Sequence, residues 1–131
     1  MKGFVLTVHK QEWHYCTRYL IFGRQGSVML DIVKPNTIRR DYTALIWGLW
    51  VTEEARQFGL ATELLSKAEE IAASLGHKEV ALEWNIRDSP RWVFHWYERR
   101  GYEERFFSEC GSMMFKQLGK NNNNNNQDNG K

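Results

Sequence analysis

The chain has 131 residues, with 18 basic and 16 acidic side chains and a formal charge of +2 near neutrality, a length that supports one domain with its own core. Six Trp, five Tyr and seven Phe need a core or a ligand groove to cover them, which excludes wholesale disorder. The small net charge argues against a dedicated nucleic-acid binder and leaves room for an anionic small molecule.

The N-terminal half reads as strands. Phe4 to His9 alternates, Tyr15 to Phe22 is aromatic and apolar, and Val28 to Val33 follows the turn Gly23-Arg24-Gln25-Gly26, so these segments are expected to be antiparallel neighbours. Lys34-Pro35-Asn36 is a turn signal, and Tyr42 to Val51, carrying Trp47, Leu49 and Trp50, reads as a central strand buried on both faces. The period then changes. Ala61, Leu64, Leu65, Ala68, Ile71, Ala72 and Leu75 form one apolar helical stripe, which Gly76 can end in a left-handed cap. Val80 to Trp84 is a short strand, and a helix between two strands of one sheet implies a right-handed parallel crossover. Ser89-Pro90 reads as a helix start with the Ser89 hydroxyl as cap, and Trp92, Val93 and Trp96 followed by Gly101 as its body and end. The remaining strands are Phe106 to Cys110 and Met113 to Leu118. The expected fold class is α+β, a single-domain mixed and mostly antiparallel sheet with one parallel β-α-β crossover.

The domain is expected to span 1–119. Residues 120–131, with the Asn run from Asn121 to Asn126, have almost nothing apolar to bury and are expected to be a disordered tail. Cys16 and Cys110 are the only cysteines and no tripartite leader precedes the first periodic segment, so the expected location is the cytoplasm, with reduced thiols. No apolar run reaches bilayer length, and no membrane partner is expected.

Functional information concentrates at Arg56-Gln57-Phe58-Gly59-Leu60-Ala61-Thr62, between a strand and the first turn of a helix. Unpaired backbone N–H groups and the positive helix end favour a phosphate there. Gly59 admits a bulky anion close to the backbone, Ala61 is nearly as small, and Arg56 adds charge at the rim. The segment matches neither the P-loop nor the G-x-G-x-x-G dinucleotide turn; taken alone, it is also compatible with an ordinary strand-to-helix turn.

A second block, Trp96-Tyr97-Glu98-Arg99-Arg100-Gly101-Tyr102, ends the second helix. Arg-x-x-Gly-x-Ala followed at this separation by aromatic-Tyr-Glu-Arg-x-Gly-Tyr resembles the GCN5-related N-acetyltransferase (GNAT) family over roughly Leu45 to Phe107, including the strand Val80-Ala81-Leu82-Glu83-Trp84. The resemblance implies a GNAT-like fold in which the first block holds the coenzyme A pyrophosphate and Tyr97 lies near the thioester sulfur. It implies that the parallel strands near Trp50 and Trp84 splay into a wedge for the pantetheine arm, lined by Leu49, Val51 and Asn85. Asn85 offers a donor and an acceptor to an amide-bearing arm, or it turns the chain out of the strand. The cosubstrate so implied is acetyl-CoA, with no metal.

Three departures from the family pattern stand out. Gln57-Phe58 replaces the more usual glycine or arginine, so Phe58 must point away from the phosphates or cover the adenine. Asp88-Ser89-Pro90-Arg91-Trp92 replaces an Asn-containing helix entry. The chain before Tyr42 reads as strands, so the two N-terminal helices that help form the family's acceptor site are reduced or absent, and the acceptor pocket is expected to be more open or completed by a second subunit in a homodimer.

Acetyl transfer to an amine requires a neutral amine, a polarised carbonyl and a stabilised or protonated thiolate. A backbone N–H near Val51 suits the carbonyl, and Tyr97 suits the proton donor, its alternative being a core plug with its hydroxyl at the edge. Glu53, Glu54 and Glu83 are the base candidates. Of these Glu83 could face the wedge and be desolvated there, or be an exposed strand carboxylate. His9, His14, His77, His95 and the two cysteines lack metal-ligand spacing, and the Trp-rich segments lack the basic interleaving of a nucleic-acid groove and are expected in the core. The expected function is acyl-CoA-dependent N-acyl transfer, most simply of acetyl to an amine by direct attack with Tyr97 as general acid. The alternative is a noncatalytic coenzyme A-binding sensor or protein-interaction module on the same fold.

Overall fold

Period-two burial decides the strands. In the computed structural model, which describes residues 4–38 and 40–119, β1 (Thr7–Glu12), β2 (Cys16–Gly23), β3 (Gly26–Val33) and β4 (Ala44–Val51) form an antiparallel meander. Ile21, Val28 and Leu30 are fully buried on one face, whereas Leu20 and Met29, paired on the other, are half-buried. The chain continues through α1 (Glu53–Arg56), α2 (Leu60–Ser74), β5 (Glu79–Asn85), α3 (Arg91–Arg99), β6 (Glu103–Ser108) and β7 (Gly111–Gln117). The sheet order is β1-β2-β3-β4-β5-β7-β6, with β4 and β5 the parallel pair. This is the expected mixed sheet with a β-α-β crossover, made here by α2.

α2 turns Leu60, Leu64, Leu65, Ala68 and Ala72 onto the sheet, where they share one core with Val28, Ile46, Val80 and Leu82. Each fully buried leucine contributes roughly 2 kcal/mol relative to exposure, so three of them outweigh the weak capping of the helix start. Gly76 ends α2 as expected: at φ 92° its amide donates to the Ala73 carbonyl, and that of His77 to Ala72, at 3.0 and 3.1 Å.

Several expectations are corrected. β1 runs from Thr7 rather than Phe4, and β6 and β7 begin two or three residues early. α1 was not foreseen; its single turn is held by the Thr52 hydroxyl, which accepts from the Ala55 amide at 3.2 Å. Ser89 does not cap α3: Pro90 occupies the cap position with no side-chain hydrogen bond, and the Ser89 amide donates to the Asn85 carbonyl at 3.0 Å. α3 buries Phe94 and Tyr97 instead of the Trp92-Val93-Trp96 stripe. β4 is not buried on both faces, since Trp47 and Trp50 are 37% and 58% exposed. The reason is architectural. Residues 13–15 join β1 directly to β2, α2 and α3 share one core, and the opposite sheet face carries no helix among the described residues. On that face the Arg18 guanidinium donates to both oxygens of Asp31, at 2.7 and 3.0 Å, and lies over the rings of Trp13 and Trp47. The proposed tail, 120–131, lies outside the described residues.

Candidate functional site

β4 and β5 are paired only at Leu45 with Ala81 and Ile46 with Leu82. Beyond these residues β4 stays with β3, and β5 stays with β7 as far as Asn85 opposite Gly111, so the facing edges of 47–51 and 83–85 are left apart. The separation begins at a bulge: Ser27 pairs with Trp50 and Met29 with Trp47, which sets Gly48 and Leu49 against the single residue Val28. Gly48 takes φ 69° there, a conformation glycine adopts at little cost, and a bulge bends its strand. The expected splay is present and has a local cause.

The freed end of β4 leads into a cleft of about 460 Å³ bounded by β4, the start of α2, the turn before α3 and α3 itself. Gly59 caps α2 at φ 86° without a side-chain hydrogen bond. The first helical bond runs from the Glu63 amide to the Gly59 carbonyl at 3.0 Å, and the backbone N–H groups of Leu60, Ala61 and Thr62 have no acceptor among the described residues. A Cβ built on Gly59 would meet no described atom within 4 Å beyond its own residue and its two chain neighbours. Three free donors at a positive helix end, bordered by open space and by Arg56, form a concavity suited to a diphosphate.

The remaining proposed binding residues divide. Leu49, Val51, Arg56, Gly59, Ala61 and Thr62 all line the cleft. Leu60 has its side chain in the core, 1% exposed, and offers the cleft only its backbone. Gln57 and Phe58 are exposed and do not line the cleft. Asn85 also stands outside the lining: its Oδ1 accepts from the Arg87 and Asp88 amides at 2.8 and 3.3 Å, which organises the turn into α3.

Tyr97 lies at the cleft, 9% exposed, its ring edge-on to Trp96 and Tyr102 at 5.4 and 5.9 Å. Burial pushes its hydroxyl up to about 12, because the phenolate would lose its hydration. Among the described residues no side-chain hydrogen bond engages that hydroxyl. Glu83 is exposed on the sheet face opposite α2, across from Met113, and does not border the cleft; β5 alternation turns its neighbours Leu82 and Trp84 into the core and Glu83 away from it.

Sequence reasoning missed Trp50, Asp88, Trp92, Val93 and Trp96 as lining residues. The spacing of Trp92, Val93 and Trp96 marks one face of a helix, but only the placement of α3 across from the start of α2 shows that this face borders a cleft. Among the described residues no group of His, Cys, Asp and Glu could hold a metal ion, and no helix is long and apolar enough to cross a membrane.

Among solved structures, the PaiA N-acetyltransferase of Thermoplasma acidophilum in complex with coenzyme A is similar to this chain at 20% identity with a TM-score of 0.60, over 79% of this chain and 62% of that one. The chain thus spans less than two thirds of that relative. An acetyltransferase of Bacillus cereus is 25% identical with a TM-score of 0.56, over 88% of this chain and 74% of that one. A GNAT family acetyltransferase of Elizabethkingia anophelis with acetyl-CoA bound is 13% identical with a TM-score of 0.57, over 86% of this chain and 98% of that one. No curated protein matches the sequence. The family model of the acetyltransferase (GNAT) family matches residues 12–102, from the end of β1 through Tyr102, so it takes in the split strands, the start of α2 and α3. The chain belongs to the acetyltransferase (GNAT) family.

Proposed function

We propose that the protein binds acetyl-CoA and transfers its acetyl group to an amine. One observation carries this reading: the uncapped start of α2, with the amides of Leu60, Ala61 and Thr62 free among the described residues beside Gly59, opens into the same cleft as the end of β4, Leu49 to Val51, where β4 has parted from β5. The first feature suits a diphosphate and the second suits an amide-bearing chain that pairs as a strand does. Those two chemistries, joined in one ligand, describe coenzyme A. The coenzyme A and acetyl-CoA complexes of the Thermoplasma and Elizabethkingia relatives agree with it.

Acetyl-CoA supplies an activated thioester; the rest falls to the chain. The α2 amides and the Arg56 guanidinium hold the diphosphate. Leu49 and Val51 wall the arm, and a backbone N–H of the free β4 edge near Val51 polarises the carbonyl. Tyr97 holds a proton at Oη over the whole working pH range, since its hydroxyl is pushed up to about 12. Against a free thiol near 8.5, complete transfer of that proton is uphill by several kcal/mol, so Tyr97 serves as a hydrogen-bond donor to the departing sulfur, with the final proton drawn from solvent. The exposed setting of Glu83 favours an amine that arrives neutral, or loses its proton to water, over one deprotonated by a buried carboxylate.

Calorimetric titration with acetyl-CoA, followed by release of free thiol in the presence of a panel of amines, tests the reading. Binding with amine-dependent thiol release is expected. Binding without release for any amine would favour a noncatalytic coenzyme A sensor, and failure to bind overturns both.

A further inference from the structure

Arg100 is the residue whose surroundings call for an explanation. It follows the last turn of α3, and its guanidinium is folded inward over Trp96, 4.1 Å from the ring. Nη2 donates to the Thr62 hydroxyl at 3.2 Å and Nη1 to the Trp96 carbonyl at 3.4 Å, while Nε is buried with no partner among the described residues. Among the described residues no carboxylate forms an ion pair with it. Burial and the neighbouring Arg99 both work against its charge. A half-buried cation without a counter-ion is an unfavourable arrangement, and the chain spends it beside the start of α2.

The link to the cleft is Thr62. Its hydroxyl accepts from Arg100, so that lone pair is occupied and its own proton must go elsewhere. Among the described residues no hydrogen bond takes that proton. Thr62 stands in the first turn of α2 and lines the cleft, next to the free amides. We infer that Arg100 is a positioning residue of the phosphate cradle, acting through Thr62: it holds the hydroxyl as a donor toward the cleft and sets a positive charge behind it. A phosphate oxygen there would receive a hydrogen bond strengthened by the cation, and would supply the negative charge the guanidinium lacks. Arg56 at the rim and Arg100 behind the wall thus bracket the same site. This role rests on coenzyme A binding as proposed above.

The test is the affinity for coenzyme A by calorimetry, at two ionic strengths, in wild type and in Arg100→Met, Arg100→Lys, Thr62→Val and Thr62→Val/Arg100→Met. Methionine keeps apolar cover on Trp96 while removing the charge, so Arg100→Met should weaken binding about tenfold and reduce its salt dependence. Lysine keeps the charge without the planar fork, and should bind more weakly than wild type but retain the salt dependence. Because part of the effect runs through the hydroxyl, the loss in the double variant should be smaller than the sum of the losses in Thr62→Val and Arg100→Met. Wild-type affinity in Arg100→Met, or additive losses in the double variant, would overturn the role. If Arg100→Met does not fold, Arg100→Lys decides: affinity and salt dependence both equal to wild type would overturn it. Wild-type protein that does not bind coenzyme A refutes the proposed function itself, whereas a binding wild type with an indifferent Arg100 refutes only this role.

Discussion

Tyr97 and Tyr102 meet edge to face at 5.9 Å across the end of α3, yet their hydroxyls have opposite fates. The Tyr102 hydroxyl donates to Glu69 at 2.7 Å inside the core, whereas Tyr97 lies at the cleft with its hydroxyl unengaged. Tyr102 is therefore a structural tyrosine and Tyr97 the one available to a ligand. Tyr97→Phe keeps the ring contacts and removes the donor, so kcat should fall by roughly 10- to 100-fold with little change in KM for acetyl-CoA. Because burial raises the Tyr97 hydroxyl to about 12, the wild-type rate should show no basic limb from this group up to pH 10. A rate that falls below pH 10 in wild type but not in Tyr97→Phe would show that the hydroxyl is not raised, and an unchanged kcat would return Tyr97 to a packing role.

The same burial predicts a loss of stability in alkali. An unfolded tyrosine titrates near 10, and the folded Tyr97 near about 12, so the unfolded chain gives up this proton first. The contribution is complete below pH 10 and is lost as pH rises through about 12. Tyr102 is raised in the same direction by burial and by the Glu69 carboxylate. The urea midpoint should drop between pH 9.5 and 11.5, and Tyr97→Phe should lessen the drop, its share being roughly 2–3 kcal/mol if titration were complete. Parallel pH curves for the two proteins would remove this assignment.

Gly59 can be tested without disturbing the core. An added Cβ would touch no described atom within 4 Å beyond its own residue and its chain neighbours, though the backbone stands at φ 86°. Gly59→Ala should therefore cost about 1 kcal/mol of stability through backbone strain alone. Its effect on coenzyme A should be larger, at least about tenfold in Kd, because the methyl group occupies the place where an anion approaches the α2 amides; Gly59→Val should be worse on both counts. Native far-UV spectra with wild-type affinity for coenzyme A would separate this glycine from phosphate binding.

What could be read from the residues alone followed from local rules. β2, β3 and α2 carry clean periods, and Gly76 closes α2 as glycine does at a left-handed cap. Within Arg56 to Thr62, Gly59 marked the start of α2, where it stands at φ 86°, because glycine is the default residue at a left-handed backbone position. α1 is too short for a periodic stripe, and β1, an edge strand with only Gln11 half-buried, has no inward face to fix its register. Trp47 and Trp50 were placed in the core because tryptophan usually needs cover, but cover depends on what lies across the sheet, and nothing within β4 encodes that. Arg100 was hidden for a similar reason: its bond to Thr62 joins residues 38 positions apart, and only the packing of α3 near α2 brings them together.

Gly111 should be the most demanding of the described glycines. It faces Asn85 at the end of the β5–β7 ladder, and an added Cβ would stand 2.1 Å from the Trp84 carbonyl oxygen and 3.0 Å from the Asn85 Cα. Both obstacles are backbone, so relief requires β5 and β7 to move apart where β5 already lacks β4 on its other side. Gly101 provides the contrast, since its Cβ would meet only the flexible Lys116 side chain, at 3.3 Å. Gly111→Ala should cost more than about 3 kcal/mol and Gly101→Ala about 1–2, measured by urea unfolding. Partial unfolding at β7 would also release Trp84, whose indole donates to the Pro90 carbonyl at 3.2 Å and so ties β5 to the start of α3. Any Gly111→Ala protein that remains folded should therefore bind coenzyme A more weakly than Gly101→Ala. Equal stability losses in the two variants would mean that the β5–β7 end yields freely, and that this close approach does not hold β7 against the end of β5.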